Sequence, residues 1–280
     1  MKTLLICPSH RPAVARLAEV HPLVLVPILG KCLLEYWLEH LVTTGVREVR
    51  VIASDRPARV RELVGDGSRW GLRLDFSPEI YELTPAESRD RCAAQARING
   101  IAPPDDIVLL DHLPGLDQAP LFESYESWFA TLLAWLPHAC TPDRIGRREL
   151  TPGVWAGLHS RITPGAQLHA PCWIGENVFV GPDAVIGPGA ILEDRAFIET
   201  GAHIVQSVVG QETFVGELTR IEHSLAHGNL LINWKTQSCL TVPDAFLLCS
   251  LGEQPPLARP TSRVWTPLAS LRHLIPRQQE

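Results

Sequence analysis

The chain has 280 residues, a formal net charge of −6 and a sequence pI near 6.0. This acidic balance, without a basic stripe, argues against a nucleic-acid-binding protein. Apolar residues make up 45% of the sequence, enough to build the cores of two domains of ordinary size.

The seven cysteines are scattered singly, and none forms a C-x-x-C pair. An odd number of isolated cysteines favours a reducing, cytoplasmic compartment over a disulfide-rich secreted fold. The first apolar run is too short for a signal peptide. No segment reaches the ~18 consecutive apolar residues that a membrane span needs.

Strand and helix patterns alternate through residues 1–120. Apolar runs predict strands at 4–7, 46–53, 72–76 and 107–110, and helical periodicity predicts helices at 33–44, 58–64 and 86–98. This alternation predicts a mostly parallel, Rossmann-like α/β sheet with helices on both faces. Ligands in such sheets bind at the carboxyl ends of the strands, so loop 7–11 and Asp111 should share one rim.

Four short motifs follow one another in this region: VPILGKCLLEY at 26–36, GVREV at 45–49, GDGSRWGL at 65–72 and SPE at 77–79. In this order they resemble the nucleotide-sugar pyrophosphorylases, the nucleotidyltransferases that join a sugar 1-phosphate to an NTP. The resemblance implies that Ser9, His10, Arg11 and Lys31 contact a nucleotide. It also implies that Asp111 binds Mg²⁺. The alternatives are a solvated or loop-capping Asp111 and a Gly30-Lys31 pair kept for its turn alone.

The departures from this family concern the phosphate-binding parts. The family's loop G-G-x-G-T-R becomes PSHRP at 8–12, without glycine, and proline removes backbone donors. A phosphate-contacting lysine is replaced by Leu23, and the N-G-D of the metal site becomes Leu109-Leu110-Asp111. The base- and sugar-binding L-G-T-A-G is replaced at 83–87, and the sugar-binding half is missing. Since nucleotidyl transfer depends on positioning and electrostatics, we expect a shortened, degenerate and non-catalytic domain.

Residues 121–152 are predicted to connect two domains. An amphipathic helix is expected at 121–136, ended by Pro137, with its aromatic residues packing the sheet against the next domain. The following polar stretch carries Arg144, Arg147 and Arg148. It is interpreted as a solvated linker, with a phosphate site as the alternative.

Residues 153–251 are dominated by a six-residue period. The aliphatic positions are Ile162, Leu168, Ile174, Val180, Ile186, Leu192, Ile198, Ile204, Val209, Val215 and Ile221, with one slip of one residue after Ile204. This period predicts a left-handed parallel β-helix, in which three short strands form each coil and the aliphatic residues point to the axis. A β-sandwich would instead show a period of two.

Beyond Ile221 the period fades into a polar stretch that contains two histidines, predicted to stack on the prism. His203, His223 and His227 are candidates for the general base of a hexapeptide-repeat acyltransferase. A zinc site like that of a γ-class carbonic anhydrase is a weaker alternative. The simpler interpretation makes these histidines surface or corner residues.

Residues 252–280 are proline-rich and then apolar at helical spacing, which predicts a short helix that caps the prism or packs on a neighbouring subunit. We expect a homo-oligomer that binds a sugar nucleotide or an active paralogue. Three functions remain open: a silent pyrophosphorylase-like regulator or scaffold in cell-surface polysaccharide synthesis, an active divergent nucleotidyltransferase, or an acyltransferase.

Overall fold

The computed structural model describes residues 2–99, 103–139 and 146–252. In its N-terminal part the elements are β1 (Lys2–Ile6), β2 (Pro27–Ile28), β3 (Lys31–Cys32), α1 (Leu33–Thr43), β4 (Glu48–Ala53), α2 (Pro57–Val64), β5 (Arg73–Pro78), α3 (Pro85–Asn99), β6 (Asp106–Leu109) and α4 (Tyr125–Ala139). Short 3-10 turns lie at Pro12–Ala18, Leu23–Leu25 and Ser68–Trp70. None of the described helices has the length and apolar composition needed to cross a bilayer.

Four of these strands form a parallel sheet in the order β5-β4-β1-β6. Alternate residues of β1 face opposite sides. Leu5 belongs to the large core with α1 and α4, and Leu4 and Ile6 pack with Leu83, two residues before α3. Helical segments therefore cover both faces, which confirms the predicted α/β architecture.

The connecting helix begins and ends later than predicted. It spans Tyr125–Ala139, and Pro137 lies inside its last turn, so the prediction that Pro137 ends the helix was wrong. Proline removes a single backbone donor and leaves the bonds of the preceding turns intact. The helix buries Trp128, Phe129 and Leu132, which confirms that its apolar face is core.

The C-terminal part is built from short strands. They are β7 (Arg148–Thr151), β8 (Val154–Ala156), β9 (Arg161–Ile162), β10 (Gln167–Leu168), β11 (Cys172–Ile174), β12 (Phe179–Val180), β13 (Val185–Ile186), β14 (Ala190–Leu192), β15 (Phe197–Ile198), β16 (His203–Val205), β17 (Ser207–Val209), β18 (Thr213–Val215), β19 (Arg220–Glu222), β20 (Ser224–His227), β21 (Leu230–Asn233), β22 (Ser238–Thr241) and β23 (Leu248–Ser250). Strands β8 to β19 make four coils of three strands each, as predicted for a hexapeptide β-helix.

Three sheets run along this prism. The seam face has the order β22-β21-β20-β17-β14-β11-β8-β7, the aromatic face β23-β18-β15-β12-β9, and the third face β10-β13-β16-β19. Parallel pairing is at 18-residue steps in the first coils, as from Cys172 to Ala190. The three pairings that span the predicted slip after Ile204 are at 17-residue steps, as from Ala190 to Ser207, and the pairing of Val208 with Leu225 is also at 17. The hexad side chains from Ile174 to Val215 are fully buried along the axis.

The last coil is closed by strands that reverse direction. Strands β20, β21 and β22 are antiparallel neighbours, and β23 pairs antiparallel with β18. Of the predicted tail 252–280, residues after Gly252 lie outside the described residues. The coil edge is therefore covered in part by reversed strands rather than left open.

The seam face packs directly on the α/β part. Its outward side chains Trp173, Ile191 and Val208 belong to the same hydrophobic cluster as α1, α4 and β1. Phe129 of α4 stacks on Trp234 after β21, with ring centroids 4.8 Å apart. The two parts of the chain thus share one continuous apolar core.

Candidate functional site

The sheet places loop 7–11 and residue 111 at one rim. The chain leaves β1 toward β4 on one side and later returns to β6 on the other, so the order reverses next to β1. Backbone bonds from Cys7 to Ile52 and from Leu110 to Ile6 continue the ladder to that point. This switch point is where open α/β sheets bind ligands.

At this rim the cationic and N–H donors converge on a carboxylate of the protein itself. The Ser9 backbone N–H and hydroxyl each donate to one oxygen of Glu82, at 2.7 Å. The Arg11 guanidinium donates to both oxygens of the same carboxylate, at 2.6 and 2.8 Å. Backbone N–H groups, hydroxyls and a bidentate arginine are the donors that bind phosphate in other proteins. In this protein all four of these hydrogen bonds go to Glu82.

The electrostatics of Glu82 agree with this description. Burial alone would raise its pKa, but the hydrogen bonds from Arg11 and Ser9 outweigh burial and lower the pKa to about 2. The same partnership raises the pKa of Arg11. Both groups are therefore charged at neutral pH, and their charges compensate each other.

Asp111 lies on the rim but is bound to its neighbour. Its carboxylate is 2.7 Å from Nδ1 of His112, whose Nε2 is 3.4 Å from a carboxylate oxygen of Asp117. Among the described residues, no group of three or more His, Cys, Asp or Glu side chains could hold a metal ion. Mg²⁺ is usually held by carboxylates together with substrate phosphates. Glu82 is bonded to Arg11 and Ser9, and Asp111 is bonded to His112. These two rim carboxylates therefore do not fit Mg²⁺ as a resident ion.

The remaining predicted nucleotide contacts do not join Ser9 and Arg11. His10 is exposed, and its carbonyl accepts a 3.3 Å bond from Arg11. The Lys31 ammonium is held by both oxygens of Glu39 in α1, at 2.6 Å. Leu23, at the family's lysine position, is fully buried. Of the four predicted nucleotide contacts, only Ser9 and Arg11 therefore bind the same group, the carboxylate of Glu82.

A second carboxylate, Glu193, lies in the seam between the α/β part and the prism. It is 1% exposed and accepts backbone N–H bonds from Leu29 at 2.7 Å and Gly30 at 2.9 Å. Burial, reinforced by Asp194, raises the pKa of Glu193 to about 7, against the lowering effect of these bonds and of Arg147. The turn between β2 and β3 is thereby attached to the prism.

Arg147 lies beside this attachment and is buried. Its guanidinium packs on the Trp173 ring, 4.6 Å from the centroid, and its charge faces Glu176 at 3.5 Å and Asp194 at 3.9 Å. A Cβ on Gly30 would lie 2.5 Å from the guanidinium, and the φ of +78° at this position is one that glycine adopts without strain. The prediction of a solvated arginine loop was wrong for Arg147, because an aromatic face and two carboxylates bury it.

The three histidine candidates occupy unrelated places. His203 lies on the third face in register with Arg220, and His223 is a corner residue with φ +49°. His227 ends β20, so the expectation that His223 and His227 stack across coils was wrong: the chain reverses at this point. The polar stretch forms antiparallel hairpins instead of another coil.

His227 lines a small cavity in the seam, together with His21 and Glu193. Burial, and then His227, Arg59 and Arg56, lower the pKa of His21. The cavity volume is about 40 Å³, enough for a few water molecules. An acyl group with its carrier does not fit there.

Comparisons with known proteins agree with the two-part architecture. Residues 171–206 match the family described as bacterial transferase hexapeptide (six repeats). A glucose-1-phosphate thymidylyltransferase from Actinoplanes sp. is 44% identical over 54 residues, or 19% of this chain and 18% of the relative. One from Streptomyces griseus is 36% identical over 59 residues, or 21% of this chain and 17% of the relative. The chain thus spans less than a fifth of these relatives, and the matches confirm the resemblance to nucleotide-sugar pyrophosphorylases with hexapeptide repeats.

Proposed function

We propose that this relative of the nucleotide-sugar pyrophosphorylases is catalytically silent and acts as a regulatory or scaffold subunit in nucleotide-sugar metabolism for cell-surface polysaccharides. The occupation of Ser9 and Arg11 by Glu82 carries the proposal. A triphosphate at this rim would have to displace a carboxylate held by four hydrogen bonds. Phosphoryl transfer is catalysed by positioning and by charge stabilisation. Without free phosphate-binding donors, the protein therefore has little left with which to accelerate the reaction.

Other features of the rim support the same conclusion. Pro8 is buried at the start of the loop, and Leu23 fills the place of a phosphate-contacting lysine. The segment at 83–87 begins α3 instead of forming a base-binding loop: Thr84 and Glu87 cap the helix through bonds of 2.8 and 3.2 Å. A homo-oligomer built on the prism, and binding to an active paralogue, belong to this proposal.

The first test is ligand binding and turnover by the full chain. We expect no pyrophosphate release from NTPs and sugar 1-phosphates with Mg²⁺, and no thermal shift with NTPs at millimolar concentration. Glu82→Ala should create a phosphate-binding site, seen as a shift of the melting temperature with inorganic pyrophosphate. Glu79→Ala is the matched control, because it removes a carboxylate paired with Arg91 instead of Arg11.

Two results would replace the proposal. Pyrophosphate release by the unmodified chain would make it an active, divergent nucleotidyltransferase. A shift with acetyl-CoA alone would favour the acyltransferase, for which the hexapeptide repeats at 171–206 are the supporting observation. If neither the unmodified chain nor Glu82→Ala binds pyrophosphate, then Glu82 does not explain the missing activity.

A further inference from the structure

The aromatic face of the prism carries a column of phenylalanines that no described element covers. Phe179, Phe197 and Phe214 stack outward, with centroids 4.4 and 5.8 Å apart, and all three are partly exposed. Cys249 of β23 pairs with Phe214 and continues the column at its lower end. The seam face is packed on the α/β part, so this is the apolar face that remains.

Exposed apolar side chains extend this column at the end of the prism. Leu218 is 75% exposed, Phe246 is 85% exposed, and Leu247 and Leu251 are each nearly half exposed. They follow or precede the strands β18 and β23 that end the aromatic face. A concentration of exposed apolar groups around an aromatic stack is typical of a surface that another segment covers.

One edge of this face is acidic. The corners that follow its strands carry Asp183, Glu199 and Glu217, and the described corner residues 163–165, 181–183, 199–201 and 216–218 include no lysine or arginine. None of these three carboxylates forms an ion pair within the described part of the chain. The opposite edge differs, because Arg195 there binds Glu212 at 2.7 Å.

The chain itself supplies a segment with the complementary character. Strand β23 leads onto the aromatic face, and Gly252 lies against the side chain of Glu212 at its edge. Twenty-eight residues of sequence follow, 253–280, with four arginines against two glutamates. Their apolar positions, at helical spacing, are Val264, Trp265, Leu268, Leu271, Leu274 and Ile275.

We propose that segment 253–280 docks on the aromatic column of its own chain, with its apolar positions on the phenylalanines and its arginines toward the acidic edge. The lengths match. A helix over the nine positions 267–275, with Pro267 as its first residue, would be about 14 Å long at 1.5 Å per residue. The column from β12 to β23 covers three strand steps, or about 14 Å at 4.8 Å each.

Cys249 provides a probe of this contact. In a background with Cys92, Cys140 and Cys239 changed to serine, the rate of maleimide labelling at Cys249 reports whether the column is covered. The full chain should label about tenfold more slowly than a chain ending at Gly252. Adding a peptide of residues 253–280 to the shortened chain should restore the protection.

Point variants in the full chain keep the test independent of truncation. Trp265→Asp and Glu217→Arg should each accelerate labelling, whereas Glu62→Arg, an exposed charge reversal on α2, should not. Equal labelling of the folded full and shortened chains, with Trp265→Asp unchanged as well, overturns the proposal. Protection that grows with protein concentration, together with a multiple of the 30.9 kDa mass in light scattering, also overturns it, because a second copy would then cover the column.

Discussion

Glu82 and Glu193 are both carboxylates that accept backbone N–H bonds, and yet their pKa values lie on opposite sides of the ordinary value. Glu82 has 18% of its side chain exposed and a bidentate arginine in contact, and its pKa falls to about 2. Glu193 is 1% exposed, and the positive charge of Arg147 beside it is shared with Asp194 and Glu176. The pKa of Glu193 therefore rises to about 7. The comparison shows that backbone donors alone do not compensate for full burial, whereas a direct cation does.

The largest expected effect is in the seam. Arg147→Ala removes the cation shared by Asp194 and Glu176 and exposes the Trp173 face. Breaking a buried charge contact from one side typically costs about 3–5 kcal/mol. The free energy of unfolding from urea titration at pH 7 checks this value.

The neighbouring arginine gives the matched control. Arg148 is exposed, so Arg148→Ala should change the unfolding free energy by less than about 0.5 kcal/mol. If the two alanine variants were equally stable, the contacts of Arg147 would contribute nothing and the seam would be held by apolar packing alone.

The next effect is a pH dependence carried by Glu193. Between about pH 4.5 and 7 the folded protein keeps a proton on Glu193 that the unfolded chain releases, so stability falls as pH rises through this window. At 1.36 kcal/mol per pKa unit, the shift corresponds to on the order of 3 kcal/mol. The glutamine of Glu193→Gln cannot ionise. The stability of this variant relative to the unmodified chain should therefore increase as pH rises from 5 to 8.

Thermal or urea unfolding at several pH values measures that gain. Asp194→Asn is a useful companion, because removing the adjacent charge should lower the pKa of Glu193 and shorten the window. A constant difference between Glu193→Gln and the unmodified chain from pH 5 to 8 would mean that Glu193 titrates normally.

The rim should give a smaller effect of opposite sign. The stability that Glu82 contributes is present above its ordinary pKa near 4.5 and is lost as pH falls toward 2. A double-mutant cycle of Arg11→Ala and Glu82→Ala should return a coupling of about 1–3 kcal/mol at pH 7. The coupling should shrink below pH 3, and a value near zero at pH 7 would mean that the pair is a solvated contact.

The fold could be predicted from the sequence because its signals are periodic. The hexads from Ile162 to Ile221 predicted the prism, including the one-residue slip after Ile204. The alternating apolar runs predicted the parallel sheet. Both patterns depend on near neighbours in sequence. The end of the prism was harder, since the polar stretch after Ile221 forms hairpins that restore backbone pairing without a hexad signal.

The site was predictable only in its location. Ser9, Arg11 and Asp111 were placed on the correct rim, but Glu82, 71 residues beyond Arg11, leaves no sequence signal that marks it as their partner. Glu193 did leave one: the position after the aliphatic residue is glycine at 175 and 210 and glutamate at 193. In the seam face this carboxylate binds a partner outside the coil, the turn at Leu29 and Gly30, whereas Glu199 at the corresponding corner of the aromatic face forms no ion pair within the described residues.

The smallest effect should come from the histidine that only turns a corner. His223 has φ +49°, a region where a side chain is strained and glycine is not, so His223→Gly should leave stability unchanged or raise it by up to about 1 kcal/mol. His227, at the cavity beside Glu193, should behave differently: His227→Ala should alter the pH dependence of unfolding between 5 and 8, since it changes the surroundings of His21. If His223→Gly instead destabilised the protein by more than about 1 kcal/mol, the imidazole would hold a contact that corner geometry does not require.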